Sequence, residues 1–242
     1  MTAFRSRDGL ASACGIRQAG DVGRAHAAPQ HRPETKGHSI MSDEWWRHAR
    51  AAVDAANAQD PRRVDDGAGA ERAFELVYAD RVEHWTSLLV ERPSPALAFA
   101  CRAQHVRRWE VPRDAFPAGR AGYHAWRRKL TDLHVAVARD VLASLGADAG
   151  AMARVEKLIR KEGRETDAEA QALQDAVSLV TLELQLGELV AKLPEEKMID
   201  VLRRTLAKMS AEGRALAARI ALGPEGQRLL ERASAAIPRA GG

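Results

Sequence analysis

Residues 166–193, TDAEAQALQDAVSLVTLELQLGELVAKL, decide the fold class. Thr166 followed three residues later by Glu169 has the form of a capping box, and Pro194 stops the pattern at the far end. Between them the apolar residues recur at helical spacing, with no alternation of the strand kind. One long helix is therefore predicted. Ala172, Asp175, Leu179 and Glu183 fall on its buried face. An unpaired buried carboxylate is costly, so Asp175 and Glu183 each require a metal, a histidine or an arginine, and an ion pair with an arginine of residues 102–130 is the plain expectation.

Working outward, the same period continues in both directions. Ser42 caps a helix carrying Trp45, Ala49, Ala52, Val53 and Ala56. Residues 71–90 place Phe74, Val77, Tyr78, Val82, Trp85 and Leu89 on one face. Ser94 with Pro95 opens a helix expected to run to about Trp109. Pro112, Pro117 and Gly119 then force a loop, and a helix from about Ala121 ends at Gly146. Asp148 caps the next, to about Lys161. After Pro194, helices are expected over residues 195–210, where Met198, Val201, Leu202, Leu206 and Met209 read as core, over 211–222, and from Pro224 as a frayed last element. The prediction is an all-α, single-domain bundle of about eight helices over residues 42–238. Residues 1–41 lack a sustained apolar period and read as a disordered N-terminal extension ending on a second methionine. A misassigned upstream start is one explanation for it; an Arg-rich transit peptide is another.

Charge is local. The chain of 242 residues carries a formal net charge of +4, most of it in the first 40 residues, so the body is nearly neutral. The basic exception is residues 102–130, RAQHVRRWEVPRDAFPAGRAGYHAWRRKL, where eight basic residues face only Glu110 and Asp114. A concentrated patch suits a small anion better than a long polyanion, and arginine is the fork-shaped donor for phosphate. Phosphate-loop, GxSxG, HExxH and EF-hand patterns are absent. No run of about 18 apolar residues is present, so no membrane association is expected. Two cysteines without ligand spacing fit a reducing cytoplasm.

Within that segment Cys101, His105 and Trp109 share a helix face, and His134 sits in the apolar stripe of Leu130, Leu133, Val137 and Val141. Arg107, Arg108, Arg113, Arg120 and Arg127 are the candidate anion ligands, with Arg113 and Arg120 flanking the proline turn. Trp109, Tyr123 and Trp126 are candidate residues to stack on a base or on arginine.

The stretches AQHVRRWEVPR (103–113), GRAGYHAWR (119–127), LQDAVSLVTLE (173–183) and EKMIDVLRRTLAKMS (196–210) together resemble a bacterial and fungal domain family of unknown function, over about residues 45–225. A more distant similarity is to the HD superfamily of all-helical phosphohydrolases, through His84, His105, His134 and Asp175 on successive helices. That resemblance implies an HD-like fold and a divalent metal held by His105, His134 and Asp175. Val106 stands where the second residue of the His-Asp doublet belongs.

Three functions follow. The first is a metal-dependent phosphohydrolase acting on a small phosphorylated or nucleotide-like substrate, with Glu110 as proton acceptor and the arginines neutralising phosphate. The second is a non-catalytic module binding an anion, a nucleotide or RNA. The third is a protein-interaction domain.

Overall fold

The computed structural model describes residues 41–235; the expected N-terminal extension lies outside them, as do residues 236–238 of the expected domain. Nine α-helices and a two-stranded hairpin follow one another in these residues. They are α1 (Asp43–Asn57), β1 (Arg63–Asp65), β2 (Glu71–Ala73), α2 (Phe74–Leu89), α3 (Pro95–Ala103), α4 (Gly119–Ser144), α5 (Ala149–Arg160), α6 (Ala168–Val190), α7 (Glu195–Leu206), α8 (Ala211–Ala217) and α9 (Pro224–Ala235). The all-α expectation holds. No helix among the described residues is long and apolar enough to cross a membrane.

Five of the helices, α1, α3, α5, α6 and α8, start where a side chain accepts from an unpaired first-turn amide. Ser42 accepts from Trp45 N, Ser94 from Leu97 N, Asp148 from Ala151 N, and Ser210 from Gly213 N. Two starts differ from the sequence reading. Helix α6 is capped by Asp167, which accepts from Ala170 N, while Thr166 turns back to the Gly163 carbonyl. Residues 71–73, expected as helix, pair instead as a strand with 63–65, Val64 opposite Arg72. Asp65 and Asp66 accept the turn amides of Gly67, Ala68 and Ala70, so local side-chain bonding outcompetes the helix there. The cap of α2 then comes from outside: the buried Asp60 accepts Glu75 N at 3.1 Å.

Helix α6 forms the spine, packing most extensively on α2, with α3 and α5 alongside and α7 to α9 closing the other end. Leu173, Ala176, Leu179, Val180 and Leu182 of α6 are buried with Tyr78 and Val82 of α2, Leu97 and Phe99 of α3, and Leu158 of α5. The carboxylate Glu183 is paired as expected, but by Arg81 of α2 in bidentate form (2.9 and 2.7 Å) and by the Trp85 indole at 2.9 Å, not by an arginine of residues 102–130. Glu169 accepts Ser94 N and Oγ at 2.8 and 2.9 Å and also pairs with Arg154, fastening the starts of α3 and α6 to α5.

Asp175 is also satisfied locally. It accepts from Ser210 N (3.1 Å), Ser210 Oγ (2.6 Å) and Gln171 Nε2 (2.8 Å), and so holds the residue that caps α8. A Cβ on Gly213 would stand 2.7 Å from the Asp175 carboxyl, which is why that first turn carries glycine. Gly213→Ala is expected to lower unfolding free energy by about 1–3 kcal/mol through overpacking. In an Asp175→Ala background the same change should cost much less, and urea unfolding of the two single variants and the double variant measures that coupling.

Candidate functional site

Helix α3 stops at Ala103, not at Trp109 as its sequence suggested, and the next fifteen residues form an irregular strap leading to α4. Arg107 adopts a left-handed conformation (φ 54°), which turns the chain and throws His105 inward and Arg107 outward. Short 3-10 turns at Arg108–Glu110 and Arg113–Ala115 follow. Arg113 donates to the Phe116 and Pro117 carbonyls at 3.0 and 3.1 Å, clasping the strap to itself. Gly122 lets α4 press against the strap, since a Cβ there would lie 1.9 Å from the Pro117 oxygen.

Under the strap lies a buried polar cluster. Tyr78 of α2 stacks on His105, ring centroids 3.6 Å apart and 13° from parallel. The His134 ring of α4 follows at 6.1 Å, and its Nδ1 contacts the Val106 carbonyl at 2.9 Å. A neutral imidazole at that carbonyl carries its proton on Nδ1. Glu75 Oε2 is 3.2 Å from His105 Nδ1. Lys161, the left-handed residue ending α5 (φ 57°), donates to Gln104 Oε1 at 2.5 Å. Arg108 lies over the Trp126 ring, 4.7 Å from its centroid, while the Trp126 indole donates to the Val111 carbonyl.

Two facts mark this cluster out. Seven fully buried side-chain polar atoms have no aligned hydrogen-bond partner among the described residues, and five of them are here: Glu75 Oε2 and His105 Nδ1, which face each other at 3.2 Å, with Tyr78 OH, Gln104 Nε2 and Arg108 Nη1. Unsatisfied interior groups are normally rare and costly. The only two non-glycine residues with positive φ among the described residues, Arg107 and Lys161, also flank it. Strained backbone of this kind persists where the surrounding structure enforces it and gathers at functional sites.

The charges reinforce one another's displacement. Burial raises the Glu75 carboxyl to about 8, with Arg108 pulling down and Asp60 pushing up, so it is largely protonated at neutral pH. Burial holds His105 well below its ordinary range, and Arg108, His134 and Arg127 add to that. His134 is lowered by burial to about 3, against the support of the Val106 carbonyl. Burial, then Arg127, brings the Lys161 amine down to about 7. Arg108 is lowered by the same two causes. Arg127 thus acts on every cation of the cluster and on Lys208 as well. Elsewhere Arg81, Arg102, Arg154 and Arg160 each have carboxylate partners; Arg108, Arg127, Lys161 and Lys208 have no ion pair among the described residues.

The structure sorts the sequence candidates. His105, Arg108, Trp126, Arg127 and His134 come together. Arg113 serves the strap. Arg107 and Glu110 are exposed and paired with each other at 2.6 Å, which takes Glu110 away from any proton transfer with His105. Arg120 is exposed beside His124, Trp109 is half-buried, and His84 is exposed. The ligand set His105, His134 and Asp175 is not assembled: Asp175 is occupied at Ser210, and no group of three or more His, Cys, Asp or Glu among the described residues is placed to hold a metal ion. Glu75, Tyr78, Gln104 and Lys161 were missed. Glu75 and Tyr78 stand three apart on the α2 face, a carboxylate in an apolar stripe, and that signal was readable; Lys161, a lysine at a helix end, gave none.

A family model described as a domain of unknown function (DUF4202) matches residues 47–230, and the chain belongs to that family. No curated protein and no solved structure matches it.

Glu75 has a signed effect on stability. Its folded pKa of about 8 lies above the ordinary 4.5, so its contribution is complete below about 4.5 and is lost as pH rises towards 8. Glu75→Gln should therefore gain on the native chain between pH 5 and pH 8.5, by on the order of 2–4 kcal/mol. Urea unfolding at both pH values tests this, and a constant difference would refute it. The two histidines run in the opposite sense in both proteins and cancel.

Proposed function

We propose that this member of the family binds a small phosphorylated ligand at the cluster of Arg108, Arg127, Lys161 and His105. The observation that carries the reading is the convergence of unpaired cations. Burying positive charge without a counter-charge is unfavourable, and a bound anion with several acceptor oxygens relieves it. Arg108 Nη1 and Gln104 Nε2 supply buried donors with no other use. The neutral state of Glu75 matters as much, because an ionised carboxylate beside His105 would repel the anion.

Metal-assisted hydrolysis is not part of this reading, since Asp175 is taken up by Ser210 and His134 by the Val106 carbonyl. Binding and orientation of phosphate are what the residues support: guanidinium forks from α4 and the strap, an amine from α5, and the His105 imidazole held neutral as a hydrogen-bonding partner. A small molecule suits the site better than RNA, because the half-buried donors converge at the edge of a strap of fifteen residues. RNA would need an open basic track.

Protonation gives the reading a direction with pH. Lys161 gains its charge below about 7, facing Arg127, Lys208, Gln104 and Cys101; Glu75 loses its charge below about 8, facing Asp60, Arg62, Arg108 and His105. Both changes favour an anion as pH falls. Sulfate keeps a constant charge over this range and isolates the protein's part. Its affinity, measured by titration calorimetry on the full chain, is expected to rise on the order of tenfold from pH 9 to pH 6. Lys161→Met should flatten much of that rise, and Arg127→Met should weaken inorganic phosphate by about tenfold or more at any pH. Unchanged phosphate affinity in Arg127→Met would sink the proposal.

A further inference from the structure

Helix α4 carries a continuous stripe from the surface into the site. Tyr123, Trp126, Arg127, Leu130 and His134 stand at intervals of three and four residues, so they share one face. The stripe runs from exposed to buried: Tyr123 is 47% exposed, Arg127 half-buried, and Trp126, Leu130 and His134 buried. Tyr123 is one of three large hydrophobic side chains exposed among the described residues; Leu145 belongs to the opposite end of α4 and Leu88 to the end of α2.

Trp126 is not free to stack on a ligand. Arg108, Arg113 and Arg127 all approach its ring, at 4.7, 5.9 and 5.9 Å, and its indole N–H is used by Val111. Tyr123 is different. Its ring meets Trp126 at 5.7 Å with a 52° tilt and His124 at 5.8 Å with a 67° tilt, and no cation of the described residues lies over it. Tyr123 and Arg108 both lie against the Trp126 ring, so Tyr123 borders the cationic cluster. A rise of about 6 Å, slightly more than one helical turn, separates Tyr123 from Arg127. That step is comparable to the ribose separating a base from its 5′-phosphate.

We infer that the ligand is a phosphate bearing a planar aromatic ring, a nucleoside monophosphate in its simplest form, with the ring stacked on Tyr123 and the phosphate held by Arg108 and Arg127. The inference rests on the phosphate-binding reading above and adds the class of molecule. Tyrosine offers a rigid amphipathic face, and every base has a π-surface, so the platform selects nucleotides without selecting among bases.

The test is calorimetry on the full chain with four probes: inorganic phosphate, ribose 5-phosphate, AMP and UMP. At least one nucleotide is expected to bind about tenfold tighter than ribose 5-phosphate. Tyr123→Ala should abolish that advantage while leaving ribose 5-phosphate unchanged within about twofold, as for an exposed substitution. Tyr123→Phe should retain the advantage. Nucleotides no tighter than ribose 5-phosphate would remove the stacking platform and leave the phosphate site standing, as would an advantage that survives Tyr123→Ala. Failure of all four probes to bind a folded chain would remove both.

Discussion

Arg102 is the residue around which the rest is arranged. Its buried guanidinium pairs with Asp54 of α1 and with Asp80 and Glu83 of α2, and its carbonyl accepts from Asn57 at 3.0 Å. Three helices are thereby fixed at one point, the last turn of α3. A buried pair of this kind adds little net stability over apolar packing, but removing one partner is severe, roughly 3–5 kcal/mol, so it acts chiefly to fix geometry. The chain leaves the helix one residue later. Gln104, His105 and Arg108 are thus delivered inward from an anchored origin, against Tyr78 and Glu75 on the same α2 that Arg102 grips.

The fold was largely legible because its signals are local. Ser42, Ser94 and Asp148 announced helix starts that the structure keeps, and the stripes of residues 71–90 and 166–193 are the faces on which α2 and α6 meet. Where the reading failed, a competing local interaction won. Asp65 and Asp66 made a hairpin turn out of what looked like the start of α2, and the left-handed Arg107 ended the helix pattern that runs through Trp109. Neither event leaves a mark in periodicity.

The site was half legible for a related reason. Histidines and arginines crowded into residues 102–130 advertise themselves by type, and three of them, His105, Arg108 and Arg127, converge with Trp126 and with His134 just beyond. Their partners come from α2 and α5, and no spacing rule links Glu75 or Lys161 to His105 across the chain. Asp175 illustrates the reverse error. A carboxylate on a buried helix face demands a partner, but Ser210, thirty-five residues later, supplies an amide and a hydroxyl as readily as a metal would supply charge. Burial stated the need; only the tertiary arrangement chose the answer.

The guanidinium of Arg108 resting on Trp126 also makes the protein its own optical probe. Indole emission is sensitive to the field across the ring, and here that field comes from a cation held 4.7 Å from the centre of a largely buried ring. Any charge that settles against Arg108 changes the spectrum of one tryptophan among five, without a dye, a label or a coupled assay. Occupancy of the interior can thus be followed in the native chain by light alone.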